Sequence, residues 1–524
     1  MQLFDLCHLN KYFTPSRIPA VLLMIVAAAF AAAARDGDVQ QVDGDDTKQL
    51  IRQSDKQLRR GNLPEAERIL RRALLLSPNN SRAKLKLAFV NIRQRRLVDA
   101  YNISFEIARD EPDNSYAFAV LGTTLLNGGK FPEARKVLYT ALKLDKREAL
   151  AWAGLGLLEF YENNIDESVT SLRQAVYLEP REPDYYFTFA QVSARAEHYT
   201  DAANAYNQFL SLSRDTDDER RTRIEGLVAF LKYLGQRQTL YTSTGADETS
   251  VNFELTENRP VVRLKVNDSD EDLNFVLDTG SGISVISDET AKRLKVKPIT
   301  RGGFAKGIGG DGKFEIVYGF LRQVQIGGVK LRNVPVYIRK FHSEGPKADG
   351  YIGLSLISKF LTTIDYGKRT FSLAKREKML DVAGGSVSLP LRLTSSGFLS
   401  GEVQLEGVDN ALNFIVDTGA SVSVISSDVA KLDCMIPFAL TEKLRVVGSA
   451  GITDDVSSYL LPRVSFGNHS RKSITAIALN LDMINEASGF EQAGILGGNF
   501  LKNYRMTFDF KNSKVIFDPI DLAR

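Results

Sequence analysis

Cysteine and histidine are scarce in this chain of 524 residues. The cysteines are Cys7 and Cys434, and Cys7 lies in a segment that we expect to be removed, so a disulfide framework or a cysteine-rich metal site is excluded. Four histidines occur without the spacing of metal ligands: His8, His198, His342 and His469. Their scarcity argues against metal-dependent hydrolysis and against a Ser-His-Asp site.

Two further features are missing from the sequence, and each argues against a class of ligand. No glycine-rich phosphate loop leads from a strand into a helix, so nucleotide binding is not expected, and we expect neither a cofactor nor a metal. Residues 51–96 carry thirteen lysines and arginines against three acids but lack interleaved aromatic residues, so we expect no nucleic-acid binding. We interpret these charges as solvated helix faces, with docking of an acidic partner or anionic lipid as the alternative.

Residues 1–35 have the pattern of a targeting segment. Lys11 and Arg17 precede an uncharged run over residues 18–34 that ends in small residues, and acidic residues follow it. This pattern predicts a signal peptide, with an uncleaved membrane anchor as the alternative. We therefore expect an exported protein, either soluble in a bacterial periplasm or attached to the membrane and facing the periplasm.

From Thr47 onwards, five blocks of 34 residues align without gaps. Position twenty of each block is small, as required where two antiparallel helices cross closely: Ala66, Ala100, Ala134, Ser168 and Ala202. This period resembles the tetratricopeptide repeat, and residues 217–235 are predicted to form a capping helix. A solenoid over residues 47–235 implies a concave groove that binds a protein partner, with a passive spacer as the alternative.

After the repeats, short apolar runs alternate with glycine-rich turns. Residues 236–250 are polar and are predicted to be a linker. The strand patterns that follow predict two β-rich units, over residues 251–375 and 386–519. The sequence therefore predicts a multidomain protein, in which an all-α solenoid precedes two all-β units.

One fifteen-residue sequence occurs twice, at positions 139 residues apart. The copies, Leu273–Ser287 and Leu412–Ser426, share ten identical positions, and each has an Asp-Thr-Gly turn after an apolar strand. Asp278 and Asp417 are thus presented on two copies of the same scaffold. Two carboxylates that share one proton activate water without a metal or a covalent intermediate, so we predict a paired-carboxylate site.

A second motif follows the turn in each half, with Gly350-Tyr351-Ile352-Gly353 matching Gly494-Ile495-Leu496-Gly497. Together the two motifs resemble the retropepsin-like aspartic proteases, over about residues 250–519. The resemblance implies tandem retropepsin-like barrels and cleavage of a protein or peptide substrate. It also implies that Asp278 and Asp417 are the catalytic dyad.

The resemblance further implies which residues support the dyad. The threonines of the turns would bind across the interface, and their glycines would leave room for the carboxylates. The glycines that close the second motif would support the active-site loops from beneath. The supporting residues are Thr279, Gly280, Thr418, Gly419, Gly353 and Gly497.

A glycine-rich segment of the first half is a candidate flap, which such a protease needs to exclude water and hold the substrate. Its tip resembles the flap tips of retroviral enzymes, and an ordinary mobile loop is the alternative. The residues of the tip are Gly307, Ile308, Gly309 and Gly310.

The two halves differ directly after the Asp-Thr-Gly turn, where Ser281 in one corresponds to Ala420 in the other. A serine hydroxyl at this position is expected to hydrogen-bond the neighbouring carboxylate and to favour its ionised form, which would make the halves inequivalent. We predict that Asp278 and Asp417 pair within one molecule. Pairing between two molecules is the alternative.

These patterns lead to a functional hypothesis of an exported aspartic endopeptidase whose helical repeats recruit a substrate or partner protein. The alternative is a non-catalytic adaptor, in which the repeats bind a protein and the β-rich halves form a peptide-binding cleft. A structural tether is disfavoured because it leaves the two Asp-Thr-Gly turns without a role.

Overall fold

The computed structural model of the protein describes residues 36–236, 239–267, 269–342, 348–377 and 387–520. The segment predicted to direct export lies outside these residues. Among the helices of the described part, none is long and apolar enough to cross a membrane.

The first part of the chain is a series of antiparallel helical hairpins that ends in a longer single helix. The hairpin helices are α1 (Asp36–Arg60), α2 (Leu63–Leu76), α3 (Ser81–Arg93), α4 (Leu97–Asp110), α5 (Ser115–Asn127), α6 (Phe131–Leu144), α7 (Ala149–Tyr161), α8 (Ile165–Leu178), α9 (Pro183–Arg195) and α10 (Tyr199–Leu212), and the last helix is α11 (Asp218–Gly235). The predicted all-α solenoid is confirmed. Helix α1 begins at Asp36, before the predicted start at residue 47.

The 34-residue period appears in both the helix crossings and the turns. The small residues at position twenty are all fully buried between crossing helices. Inside each hairpin, the turn contains one residue with a left-handed backbone, again at intervals of 34 residues: Gly61, Arg95, Gly129, Asn163 and Glu197. A left-handed residue ends the first helix and lets the chain reverse into the second.

The interior of the solenoid contains a network of charged residues. Lys86 forms an ion pair with Asp55 at 2.9 Å, and Arg93 of α3 pairs with Asp184 of α9. Burial and the charge of Asp184 raise the pKa of Glu182, at the start of α9, to about 8. The paired side chains are only about one-fifth exposed, so the solenoid contains half-buried ion pairs.

The first β-rich half contains strands β1 to β11 and two short helices. Its elements are β1 (Thr242–Gly245), β2 (Glu248–Thr256), β3 (Arg259–Val266), β4 (Leu273–Leu277), β5 (Val285–Ser287), α12 (Asp288–Arg293), β6 (Thr300–Lys306), β7 (Lys313–Ile326), β8 (Val329–Arg339), β9 (Gly350–Ile352), α13 (Leu354–Ile357), β10 (Leu361–Asp365) and β11 (Thr370–Ala374). Strand β1 and the start of β2 lie within residues 236–250, which the sequence predicts to be a linker. The residues of β1 are all exposed, so this edge strand lacks the hydrophobic alternation that would have identified it.

The second half repeats this arrangement with strands β12 to β22. Its elements are β12 (Val387–Pro390), β13 (Arg392–Leu393), β14 (Leu399–Leu405), β15 (Leu412–Val416), β16 (Ser423–Ser426), α14 (Ser427–Ala430), β17 (Ala439–Val447), β18 (Ile452–Phe466), β19 (His469–Leu479), α15 (Asp482–Ser488), β20 (Gly494–Leu496), α16 (Gly498–Leu501), β21 (Tyr504–Asp509) and β22 (Lys514–Pro519). In both halves, the strand before the Asp-Thr-Gly turn pairs in parallel with the short strand of the second motif, β4 with β9 and β15 with β20.

The closing hairpins of the two halves join in one antiparallel sheet with the order β12, β22, β21, β10, β11, β2. At its centre, Thr363 of β10 lies opposite Thr507 of β21, and their hydroxyl oxygens are 3.0 Å apart. Because this sheet belongs to a single chain, it holds the two halves face to face.

The turns of the solenoid contact the second half at regular intervals. The Asn413 side-chain amide donates to the Gly129 carbonyl, and the Asn163 amide donates to the Phe510 carbonyl at 3.2 Å. Arg95, one repeat earlier, forms an ion pair with Glu491. Phe490 is fully buried in the solenoid core and packs against the rings of Phe131 and Tyr161, each at a centroid distance of 4.9 Å. The solenoid is therefore packed against the second of the two β-rich halves, which together, as residues 242–519, form the protease-like part.

Replacing Phe490 tests this packing. Phe490→Ala is expected to lower the free energy of unfolding by about 3–5 kcal/mol, because it leaves a cavity between Phe131 and Tyr161. Equilibrium unfolding in denaturant measures this change. Phe304→Ala, at a position that is 48% exposed, is the control. Equal losses in the two variants would contradict the packing role.

Candidate active site

Asp278 and Asp417 lie at the ends of equivalent strands, β4 and β15, and meet at the boundary between the halves. The backbone N–H of each donates at 3.0 Å to a carbonyl of the second motif, that of Ile352 for Asp278 and that of Leu496 for Asp417. The two carboxyl groups are hydrogen-bonded to each other. The structure therefore brings together the two aspartates that the sequence singled out.

The two turns are joined by a reciprocal set of hydrogen bonds. The Thr279 hydroxyl donates to the Val416 carbonyl and the Thr418 hydroxyl donates to the Leu277 carbonyl, both at 2.6 Å. Each hydroxyl also accepts the backbone N–H of the other threonine at 3.1 Å. Both threonines are fully buried, so no water competes for these bonds. The bonds fix the distance between the two carboxyl groups.

The glycines of the turns stand against the opposite carboxyl group. A Cβ atom on Gly280 would lie 2.4 Å from the carboxyl carbon of Asp417, and one on Gly419 would lie 2.8 Å from that of Asp278. Any other residue would push the carboxyl groups apart. Glycine is therefore required at both positions for steric reasons.

The glycines of the second motif occupy equivalent places in the two halves. The Gly353 N–H donates to the Ser284 hydroxyl and the Gly497 N–H donates to the Ser423 hydroxyl, both at 3.1 Å. A Cβ atom on Gly353 would lie 2.7 Å from the Ile283 backbone. These glycines allow the second motif to pack directly beneath the turns.

The two carboxyl groups hold protons unequally. Loss of hydration raises the pKa of Asp278 well above its usual range, and the charge of Asp417 raises it further. Loss of hydration also raises the pKa of Asp417, but the N–H groups of Gly419 and Ala420 donate to its ionised form at 2.7 and 3.2 Å. The pair therefore shares one proton, and the N–H groups of Gly419 and Ala420 favour the ionised form of Asp417 over that of Asp278.

The expected role of Ser281 is wrong. The Ser281 hydroxyl donates to the Ile283 carbonyl at 2.7 Å rather than to a carboxylate. Because this local bond satisfies the hydroxyl within its own turn, the inequality of the halves has another origin, the N–H groups donated to Asp417.

The candidate flap is the tip of the hairpin formed by β6 and β7, and it meets an equivalent tip between β17 and β18. The Ala450 N–H donates to the Ile308 carbonyl at 2.8 Å, and the Ile308 N–H donates to the Ser449 hydroxyl at 3.1 Å. Gly309 and Gly310 have left-handed backbones with φ of 85° and 55° and pass close to the opposite tip. The two tips therefore contact each other above the dyad.

The flap hairpin also contacts the solenoid. Helix α11 packs against β6, where the absence of a side chain at Gly226 admits the Arg301 carbonyl. Lys313 at the base of the flap forms an ion pair with Glu219 of α11 at 2.6 Å. The predicted capping helix thus also belongs to the protease-like part.

A continuous cavity of about 3310 Å³ extends from the dyad and the flap tips to the concave side of the solenoid. Pockets for small ligands are commonly about 300–1,000 Å³, so this cavity has room for a polypeptide segment. Thr188, Gln191 and Arg223 of the solenoid line it together with Asp278 and Asp417. The open part of the concave groove therefore leads into the cleft.

The aspartyl protease family model matches residues 262–356 and 401–500, and tetratricopeptide repeat models match residues 57–123 and 120–183. The chain thus carries an aspartyl protease domain in two tandem segments, preceded by tetratricopeptide repeats. Comparison with curated proteins gives no match.

The similar solved structures include a thermophilic tetratricopeptide-repeat protein of Thermus thermophilus, with 20% identity and a TM-score of 0.29 over 35% of this chain and 98% of that one. Pseudomonas aeruginosa pilF has 18% identity and a TM-score of 0.27, over 37% of this chain and 89% of that one. The Cut9-Hcn1 hetero-tetramer of the APC/C has 15% identity and a TM-score of 0.30, over 38% of this chain and 40% of that one.

One residue of the cleft was not predicted from the sequence. Arg339, at the end of β8, lines the cavity, and its positive charge acts on Asp278. A lone arginine at a strand end carries no signal in a single sequence. Its place beside the site depends on the pairing of β8 with β5, which puts Arg339 opposite Ser287.

The raised pKa of Asp278 predicts how stability depends on pH. Above about pH 3.9 the unfolded chain ionises this group while the folded protein keeps it protonated, so the folded state loses stability as pH rises. In the Asp278→Asn variant this loss is absent. At pH 7 its free energy of unfolding should therefore be higher than that of wild type, by about 1.4 kcal/mol for each unit by which folding raises the pKa of Asp278. The variant should therefore melt at a higher temperature than wild type at pH 7, with the difference vanishing near pH 3.

Asp428→Asn is the control for this experiment, because that carboxylate is 89% exposed and pairs with Lys431 on the surface. Melting temperatures measured across the pH range separate the variants. A difference between wild type and Asp278→Asn that stays constant with pH would contradict the raised pKa.

Proposed function

We propose that this protein is an aspartic endopeptidase, which hydrolyses peptide bonds with Asp278 and Asp417 of the same molecule. The observation that carries the proposal is the pair of hydrogen-bonded carboxyl groups, one from each half, beneath two flap tips. The central sheet, in which β10 pairs with β21, favours a dyad formed within one chain.

The unequal protonation of the dyad assigns a role to each carboxyl group in this proposal. Asp417 accepts a proton from a water molecule while the water oxygen attacks the scissile carbonyl carbon. At the same time Asp278 donates its proton to the carbonyl oxygen. The tetrahedral intermediate then collapses. Its C–N bond breaks as the leaving nitrogen takes the proton held by Asp417. One hydroxyl of the intermediate gives its proton back to Asp278, which leaves a carboxylic acid and an amine as products.

Substituting each aspartate tests the proposal. Asp278→Asn and Asp417→Asn should each reduce cleavage of an unstructured peptide pool by about a hundredfold to ten-thousandfold, because each removes one partner of the proton transfer. Mass spectrometry of the products from acidic to neutral pH measures this loss. A mixture of the two variants should stay inactive, and rescue in the mixture would show pairing between chains.

The alternative function is a non-catalytic adaptor with a peptide-binding cleft. The closed contact between the flap tips and the shared cavity fit peptide binding as well as cleavage. Wild-type protein that binds peptides but cleaves none at any pH would establish the adaptor and overturn the protease.

We propose that the tetratricopeptide repeats recruit the substrate, because their open concave surface and the cleft form one cavity. In this arrangement a protein segment lying along the solenoid continues past the flaps to the dyad. We also propose export to the periplasm through residues 1–35, on the strength of the charge pattern around the apolar run at residues 18–34.

Recruitment predicts that long and short substrates respond differently to changes in the solenoid. Gln191→Ala removes an amide side chain of helix α9 that lines the cavity outside the two β-rich halves. We expect kcat/KM to fall several-fold for an unfolded protein substrate and to stay unchanged for a short peptide. Leu75→Ala, at a position that is 83% exposed, is the control. Equal effects on both substrates would exclude recruitment through this surface.

A further inference from the structure

The two halves place different residues at equivalent positions beside the dyad. Strand β5 pairs in parallel with β8, so that Ser287 lies opposite Arg339. In the second half β16 pairs in parallel with β19, so that Ser426 lies opposite Leu479. Because Ser287 and Ser426 are the last residues of the repeated fifteen-residue sequence, Arg339 and Leu479 are structural counterparts.

Arg339 is a half-buried cation on the wall of the cleft. Its Nη1 atom donates to the Ser449 carbonyl of the opposite flap at 2.7 Å, and its guanidinium carbon lies 4.9 Å from the centre of the Phe341 ring and 5.9 Å from that of Tyr351. Among the residues that the structure describes, no carboxylate forms an ion pair with it. Of the five N–H donors of a guanidinium, Arg339 thus keeps several for a ligand.

The opposite wall of the cleft is aliphatic. Leu479 packs in an apolar cluster with Val446 and with the flap residue Ile308. Ile495 belongs to the same cluster and is the counterpart of Tyr351. The cleft is therefore cationic and aromatic on the side of the first half, and aliphatic on the side of the second.

We propose that Arg339 is a specificity-determining residue, which binds an acidic side chain of the substrate on the first-half side of the scissile bond. The aliphatic wall around Leu479 receives an apolar side chain on the other side. This inference rests on the proposed peptidase function and names its substrate class, a segment with an acidic residue near an aliphatic one.

The physical reason is the environment of the guanidinium. Arg339 is partly removed from water, and although the charge of the dyad acts on it, no carboxylate of the described residues forms an ion pair with it. An acidic side chain of the substrate would supply that partner. The planar fork of arginine also matches a carboxylate with two parallel hydrogen bonds, which an amide of the same shape does not reproduce. A substrate glutamate should therefore be preferred over glutamine.

Cleavage-site mapping tests this preference. Wild-type protein is incubated with a peptide pool from digested unfolded proteins, and mass spectrometry locates the bonds that are cut. Glutamate and aspartate should be enriched at one position on one side of the cut bonds, with aliphatic residues enriched on the other side. Cleavage without enrichment of acidic residues would overturn the inference and leave the peptidase standing.

Charge reversal separates recognition from a merely structural role. On synthetic peptides with Glu, Gln or Lys at the enriched position, wild type should prefer Glu over Gln by about tenfold or more in kcat/KM. Arg339→Leu should abolish this ratio, and Arg339→Glu should favour the Lys peptide. Arg332→Leu, at an exposed position of the same strand, should keep the wild-type ratio. If Arg339 only holds the flap through Ser449, all three peptides should slow equally, which would overturn the inference.

Binding distinguishes failure of this inference from failure of the proposed function. The Asp417→Asn variant, which should not cleave, is titrated with fluorescent Glu and Gln peptides. The Asp417→Asn variant should bind the Glu peptide more tightly than the Gln peptide, and the double variant Asp417→Asn/Arg339→Leu should bind both equally. This result would support acidic recognition even if wild type proved inactive. Equal binding of both peptides would overturn it.

Discussion

The reciprocal hydrogen bonds between Thr279 and Thr418 are the interaction on which the site depends. Each hydroxyl reaches across the boundary to the backbone that precedes the opposite aspartate, so the two carboxyl groups are held at a distance where they share a proton. If flexible side chains alone held the two turns together, electrostatic repulsion would move the carboxyl groups apart. Here the threonine hydroxyls and backbone carbonyls set the spacing in a buried interface. Loss of hydration, and then the charge of Asp417, raise the pKa of Asp278 there.

Within this nearly symmetrical scaffold, the two halves differ at a few positions beside the dyad. Backbone N–H groups donated to Asp417 stabilise its ionised form, so an almost symmetrical scaffold holds one acid and one base. Arg339 and Leu479 extend this inequality to the walls of the cleft. Duplication within one chain permits such differences, whereas two identical subunits would carry the same residue on both walls.

Much of this arrangement could be predicted from the sequence because it is repeated there. The 34-residue period predicted the helical hairpins, and the copied Asp-Thr-Gly sequence identified Asp278 and Asp417. Strand β1 escaped prediction because an exposed edge strand needs no apolar side chains. The packing of α11 against the flap hairpin and the role of the Ser281 hydroxyl depend on contacts between distant or competing groups, which no local pattern encodes.

The left-handed turns at 34-residue intervals have a consequence for how this solenoid could evolve. Solenoids commonly gain or lose repeats, since each repeat contacts only its neighbours. In this chain successive turns meet different, non-repeating partners on the second half, and α11 must arrive beside β6. Inserting or deleting one repeat between the Arg95 turn and α11 would shift these turns to wrong partners, so the number of repeats in that stretch is fixed by the protease-like part.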